Sequence, residues 1–193
     1  MAKLYFKFGA MGSSKSANCL MAKFNYEQKG KKTILLKPKC DTRSPENEVN
    51  SRIGLSSKAK SIAYDDDINV DEMKNYDVIL VDEAQFFAPK QIETLKYIAS
   101  ILDIPVLCYG LLTNYKLTLF EGSKRLVELA DSLQEIKSIC DCGKKANVNC
   151  LLDKDGKVIT EGNDLVIGDT EYRALCYSCY YKLLNKTKGS ENI

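Results

Sequence analysis

Three groups of residues in this 193-residue chain have the types and spacing to do chemistry. The first is Gly9-Ala10-Met11-Gly12-Ser13-Ser14-Lys15-Ser16, close to the phosphate-loop pattern G-x-x-x-x-G-K-[ST]. Backbone N–H groups of such a loop, with the start of the following helix, cradle phosphates. Lys15 is expected to reach the β- and γ-phosphates, and the Ser16 hydroxyl to bind Mg²⁺. Ser14 stands where the second glycine is expected. Glycine serves there for backbone freedom and close phosphate approach, so Ser14 predicts a distorted loop or weaker nucleotide binding. The second group is Asp82-Glu83, directly after Asp77-Val78-Ile79-Leu80-Val81, which reads as a buried-type strand. A buried strand ending in two carboxylates suits a nucleotide's Mg²⁺, here on Asp82, with Glu83 free to take a proton from an attacking hydroxyl or water. Alone, such a pair is also a solvated strand end or a helix cap; beside a phosphate loop it points to Mg-nucleotide phosphoryl transfer or hydrolysis, with the acceptor open. The third group is Cys140-Asp141-Cys142 and Cys176-Tyr177-Ser178-Cys179, with 33 residues between the pairs. Two cysteine pairs across a hairpin match a structural zinc site, in which four thiolates leave no position for a reacting water.

Other chemistries are excluded by composition. The chain has no His, so Ser-His, Cys-His and other imidazole mechanisms are absent. Lys and Arg total 28 against 26 Asp and Glu, a balance that gives no basic stripe for nucleic acid or a membrane surface. No apolar run approaches the roughly 20 residues of a membrane span, and the start of the chain is too short and strand-like for a signal peptide. Five of the eight Cys lie in the last third; clustering of this kind fits metal binding in a reducing, cytoplasmic setting better than an even disulfide framework. Cys19, Cys40 and Cys108 read as core or surface thiols, and Cys150 lies inside the cysteine-rich segment but matches no pair.

The elements that must position these groups alternate. Lys3–Phe8, Thr33–Leu36, Asp77–Val81 and Pro105–Tyr109 read as strands, and Leu133–Ile139 as one more. Ser16–Lys29, Pro89–Leu102 and Gly122–Ala130 read as helices, the second with Ile92, Leu95, Ile98, Ala99 and Leu102 on one face. This alternation predicts an α/β fold: a P-loop NTPase-like parallel sheet with helices on both faces. Polar Lys37–Lys60, with Pro38, Pro45 and Gly54, reads as a flexible loop. The texture changes after Ile139, where Asp153-Lys154-Asp155-Gly156-Lys157 is a hairpin turn signal. The expected division is a nucleotide-binding α/β domain over 1–139, a small zinc-binding module over 140–184 and a flexible tail over 185–193.

The ordered set of motifs resembles the zinc-binding, type II thymidine kinase family, in its bacterial branch, from Lys3 to about Lys182. The likeness is strongest in Asp82–Phe87, Ser51–Ser57, Leu102–Leu111 and Ile139–Ala146. It implies an ATP:thymidine 5′-phosphotransferase that makes dTMP for nucleoside salvage, with deoxyuridine as a second substrate. It also implies Mg²⁺ with ATP, structural Zn²⁺ on Cys140, Cys142, Cys176 and Cys179, a homotetramer, and feedback inhibition by dTTP. Glu83 matches the family's general base. The ATP and phosphate site takes Gly9, Ala10, Met11, Gly12, Ser13, Ser14, Lys15, Ser16, Arg43, Asp82 and Gln85, and the magnesium shell Ser16, Asp41 and Asp82. The nucleoside is expected among Met11, Phe86, Leu111, Tyr115, Phe120 and Tyr172, with Leu165, Val166, Ile167 and Gly168 as a lasso loop whose backbone reads the base. Relative to the family pattern the lasso is one residue shorter, Tyr177 replaces an Arg, and Ser14 replaces the loop glycine. Two other assignments share the phosphate loop: an ATPase that grips nucleic acid through its cysteines, disfavoured by the balanced charge, and a nucleoside or nucleotide sensor with little turnover.

Overall fold

The computed structural model describes residues 1–162 and 171–189. In chain order the elements are β1 (Leu4–Phe8), α1 (Lys15–Glu27), β2 (Thr33–Pro38), β3 (Glu48–Asn50), β4 (Ser56–Lys58), β5 (Lys60–Ile62), α2 (Val70–Met73), β6 (Val78–Val81), α3 (Pro89–Ile101), β7 (Val106–Gly110), α4 (Glu121–Leu129), β8 (Ser132–Glu135), β9 (Ser138–Ile139), β10 (Lys145–Ala146), β11 (Val148–Leu152), β12 (Glu171–Leu175) and α5 (Tyr177–Gly189). A 3₁₀ turn, Ala84–Phe86, follows β6.

Six strands form one parallel sheet in the order β5-β2-β6-β7-β1-β8. Their apolar runs are continuous because both faces are covered, and side chains divide between the faces with period two. Leu4, Phe6, Ile34, Leu36, Ile79, Val81, Val106 and Cys108 face a core completed by Ile92, Leu95, Ile98 and Ala99 of α3 and Leu126 of α4. Leu35, Val78, Leu80, Leu107 and Tyr109 face the opposite core, closed by Cys19 and Leu20 of α1. Burying each of these large side chains contributes about 1.5–3 kcal/mol. The expected parallel α/β sheet with helices on both faces is present.

Three expectations are corrected. The stretch Lys37–Lys60 is not simply a loop: it contains the antiparallel pair β3–β4, continues into β5, and buries Val49 against the α1-side core. Its polar composition misled because the tie is itself polar. Lys37 is 1% exposed, and its Nζ donates to the carbonyls of Pro45 and Glu48 at 3.3 and 3.2 Å. The strand expected over Leu133–Ile139 is split: β8 joins the large sheet beside β1, whereas β9 pairs with β10. The tail expected from residue 185 is helical through Gly189. Leu183 and Leu184 pack on the C-terminal core, and Thr187 Oγ1 accepts a hydrogen bond from Val158 N at 3.2 Å.

That C-terminal core gathers Cys140, Ala146, Val148, Cys150, Leu152, Val158, Leu175, Cys176 and Tyr180. β11 and β12 pair antiparallel across it, and the Asp153–Lys157 turn lies where the sequence places it.

Candidate functional site

The phosphate loop leaves β1 at Phe8 and enters α1 at Lys15. Three backbone features make the turn. A Cβ on Gly9 would come within 2.3 Å of Ile136 O, so only glycine fits. Gly12 has φ +74°. Ser14 itself is left-handed, at φ 60° and ψ 30°, the conformation for which glycine is used at this position. A residue with a Cβ pays about 1–2 kcal/mol of strain there, so the substitution is absorbed as backbone strain. Lys15 is buried and folds back over the loop, its Nζ 2.8 Å from Ala10 O and 3.3 Å from Ser13 Oγ. Burial holds its pKa below the usual lysine value, against the pull of Glu83 and Asp82.

Asp82 and Glu83 leave β6 two strands away, with β7 between. Asp82 is 3% exposed, and burial, reinforced by the adjacent Glu83 carboxylate, pushes its pKa up to about 7. The Ser16 hydroxyl hydrogen-bonds it and works the other way. Among the described residues, Asp82 Oδ1 is the buried side-chain oxygen that lacks a hydrogen-bond partner. A buried orphan oxygen costs about 1–3 kcal/mol unless something meets it, and a carboxylate beside a hydroxyl at a phosphate loop is a hard oxygen pair suited to Mg²⁺. The residues present therefore fit that ion. Asp41 is placed differently: its two oxygens accept from Arg43 Nε at 2.7 Å and Nη2 at 3.2 Å.

Glu83 is also left-handed, at φ 49°, a strained conformation for a side-chain-bearing residue of the kind that clusters at functional sites. Both its oxygens are engaged. Oε1 meets Arg43 Nη2 at 2.6 Å, and Oε2 accepts from Gln85 Nε2 at 2.6 Å. Gln85 in turn accepts from Leu111 N at 2.9 Å. It is 2% exposed and orients Glu83 from behind.

A cleft of about 470 Å³ opens between these groups, within the usual range of small-molecule sites. Met11, Lys15, Ser16, Asp82, Glu83 and Arg43 line it, together with Gly12, Ser14 and Leu111. Its other wall is one the sequence did not announce: Asn50, Ser51, Arg52 and Ile53, from the end of β3 and the β3–β4 turn. Gly9, Ala10, Ser13, Asp41 and Gln85 are not part of its lining.

The expected nucleoside residues are partly assembled. Phe86 and Phe120 meet edge to face, with centroids 5.4 Å apart at 77°. Two glycines permit this approach. A Cβ on Gly110 would lie 2.6 Å from Gln85 Oε1, and one on Gly122 2.5 Å from Phe87 O. Tyr115 is 1% exposed. Of the six expected base neighbours, Met11 and Leu111 reach the cleft wall, whereas Phe86, Tyr115 and Phe120 lie off it. Tyr172 sits on β12 opposite Leu151, also off the cleft. Leu165, Val166, Ile167 and Gly168 lie outside the described residues.

The four cysteines converge. The Sγ atoms of Cys140, Cys142, Cys176 and Cys179 all lie within 4.8 Å of one another. Cys142 and Cys176 are 3.6 Å apart, far longer than the ~2.05 Å of a disulfide and close to the ~3.8 Å edge of a thiolate tetrahedron about an ion with ~2.3 Å metal–sulfur bonds. This cluster could hold a metal ion.

Comparison with known proteins follows the same lines. The profile described as "Thymidine kinase" matches residues 2–180. The chain belongs to the thymidine kinase family. It is 44% identical to the thymidine kinase of Zymomonas mobilis over 191 residues, covering 96% of this chain and 99% of that one. It is 41% identical to the thymidine kinase of Enterobacteria phage T4, again over 96% of this chain and 99% of the relative. The thymidine kinase of Shewanella oneidensis is 41% identical over 91% of this chain and 95% of its own. Among the described residues, no helix of this thymidine kinase family member is long and apolar enough to cross a membrane.

Sequence reasoning missed two polar anchors. Lys37 ties down the loop that carries Arg43, and Asn149 of β11 bonds Met11 N and the Thr113 carbonyl, each at 2.8 Å. The signal for both was a polar residue inside an otherwise apolar strand.

Proposed function

We propose that this chain transfers the γ-phosphate of ATP to the 5′-hydroxyl of thymidine, giving dTMP and ADP, and accepts deoxyuridine as a second substrate. The observation that carries this is the pairing, across one cleft from the phosphate loop, of a buried carboxylate with an unpartnered oxygen and a neighbouring carboxylate held by directed hydrogen bonds. Lys15 leaves the Ala10 carbonyl to meet the β- and γ-phosphates, and the loop N–H groups hold the rest of the triphosphate. Ser16 and Asp82 would hold Mg²⁺, with Asp41 added once Arg43 releases it. When bound, that ion offsets the charge gathering on the phosphate oxygens.

Glu83 accepts the 5′-hydroxyl proton while the alkoxide oxygen forms its bond to the γ-phosphorus. The bond from that phosphorus to the bridging oxygen breaks, and ADP carries away the electron pair. Gln85 keeps the Glu83 carboxylate aimed, and position matters here as much as basicity. Arg43 blocks one Glu83 oxygen in the present arrangement; its turn toward the phosphates frees the base and brings a cation to the transferring group. The contact thereby links donor binding to base activation.

The thiolate cluster is assigned to structural Zn²⁺, because four soft ligands at tetrahedral spacing suit that ion and leave no open position. The homotetramer, dTTP inhibition and a cytoplasmic setting are supported by the family resemblance. The division into a nucleotide domain and a zinc module is supported by their separate apolar cores.

The test is incubation of the protein with Mg-ATP and an equimolar mixture of thymidine, deoxyuridine, deoxycytidine and deoxyadenosine, with the monophosphates identified by mass. dTMP as the dominant product, lost in Glu83→Gln, supports the assignment. No monophosphate from a folded, zinc-replete sample overturns it.

A further inference from the structure

β11 is buried along its whole length, but its two faces meet different partners. Val148, Cys150 and Leu152 point into the core of the cysteine module. By the period of two, Asn149 and Leu151 face the other way. Asn149 is 3% exposed and touches two segments of the sheet domain at once. Its Oδ1 accepts from Met11 N at 2.8 Å, across 138 residues of sequence, and its Nδ2 donates to Thr113 O at 2.8 Å, across 36. An N–H facing one end and a carbonyl facing the other fix which way the amide points. Met11 is the phosphate-loop residue just before the left-handed Gly12, and it lines the cleft. Thr113 lies between Leu111, at the cleft wall, and buried Tyr115.

We propose that Asn149 is a positioning residue for both substrates: it holds the crown of the phosphate loop and the segment after β7 at a fixed separation, so that the cysteine module sets the distance between phosphate donor and nucleoside. The kinetic part of this proposal rests on the kinase function assigned above. The Met11 N–H is not offered to phosphate; it is spent on holding the loop open at the turn. Removing the amide leaves one N–H and one C=O unpaired, and the two segments are then free to drift. Reacting groups misplaced by a fraction of a bond length lose rate steeply, so the effect falls on binding and alignment.

The experiment uses the full chain with Asn149→Ala and Asn149→Asp, read by zinc content, steady-state kinetics with Mg-ATP and thymidine, calorimetric Mg-ATP binding and amide exchange followed by NMR. In Asn149→Ala, zinc content stays at the parent value, Met11 N–H exchanges faster, and kcat/KM falls roughly 10- to 100-fold for each substrate, more through KM than kcat. Asn149→Asp keeps an acceptor for Met11 N–H but offers no donor to Thr113 O. Its ATP constants therefore stay within about 3-fold of the parent while the thymidine KM rises about 10-fold. That split is what a merely structural role would not give. Equal losses for both substrates in Asn149→Asp, or unchanged KM values in a folded Asn149→Ala, overturn the proposal. If Asn149→Ala does not fold, Asn149→Asp and the parent's own Met11 amide decide: a fast-exchanging Met11 N–H in the parent also overturns it. A parent that makes no dTMP sinks the kinase assignment instead, and the positioning role is then still read from Mg-ATP binding and Met11 exchange.

Discussion

In the sheet domain, β6 buries all four of its residues between two apolar layers, each completed by helices. In the cysteine module, β11 buries all five of its residues, yet the core on one side is a small cluster gathered around four thiols and on the other side is the sheet domain itself. The first region is specified by area, many side chains each contributing a little. The second is specified by a point, where four sulfurs from two distant segments must meet. Area of that kind tolerates the loss of a single contact at a graded cost. A point does not, because an ion would supply the strongest bonds bringing 140–142 and 176–179 together, with only a small apolar core and the Arg173–Asp141 ion pair besides.

The sharpest way to break this comparison is to remove the zinc proposed for the four thiols. Structural zinc in small modules is worth about 10–16 kcal/mol in apparent binding free energy near neutral pH, so chelation is expected to open the C-terminal module alone. A colorimetric thiol reagent checks it. Cys40, exposed in the native chain, reacts from the start, and Cys140, Cys142, Cys150, Cys176 and Cys179 become reactive on chelation. Buried Cys19 and Cys108 of the sheet domain stay protected. Simultaneous reaction of Cys19 and Cys108 would show that the two regions fold as one unit.

Next in size is the base. Glu83→Gln should lower kcat by about 10²- to 10⁴-fold with zinc content unchanged, measured by single-turnover dTMP formation; a change under tenfold removes Glu83 from proton transfer. Ile79→Ala, at a fully buried position in β6, should cost about 2–5 kcal/mol. In a thermal melt with a zinc-sensitive dye, this appears as a lower Tm with metal release only at the global transition. Earlier release would mean that the module depends on the sheet core for more than its docked face. The smallest effect is expected at Ser14. Ser14→Gly relieves a left-handed Ser and should add up to about 1 kcal/mol of stability, with at most a modest gain in ATP affinity. Strong activity appearing only in Ser14→Gly would instead mark the parent as impaired.

Much of the sheet domain was legible because its signals are local. A continuous apolar run followed by two acids, and a glycine-and-serine loop entering a helix, declare strand, turn and chemistry within about ten residues. The cysteine pairs were legible as well, since few other roles call for four thiols at that spacing. The region 37–60 was not, because what holds it is a buried lysine bonding to backbone carbonyls, and composition alone counts such a residue as solvent-facing. Gln85 is expected at the ATP site from the family resemblance alone; in the structure it is buried and donates to Glu83, a placement that depends on how closely Gly110 lets β7 approach.

The sequence by itself determined the parallel α/β order, the glycine-and-serine loop that enters a helix, the carboxylate pair and the two cysteine pairs, because each is encoded in neighbouring residues whose periodicity or spacing has few physical solutions. Tertiary structure alone decided which groups face one another. Arg43 pairs with Glu83 across 40 residues, the β3–β4 turn walls the cleft, and Asn149 reaches from the cysteine module to Met11. These are hydrogen bonds and ion pairs between single polar side chains. Such contacts leave no period in the sequence, and their partners are chosen only when packing of the apolar faces brings distant segments within 3 Å of one another.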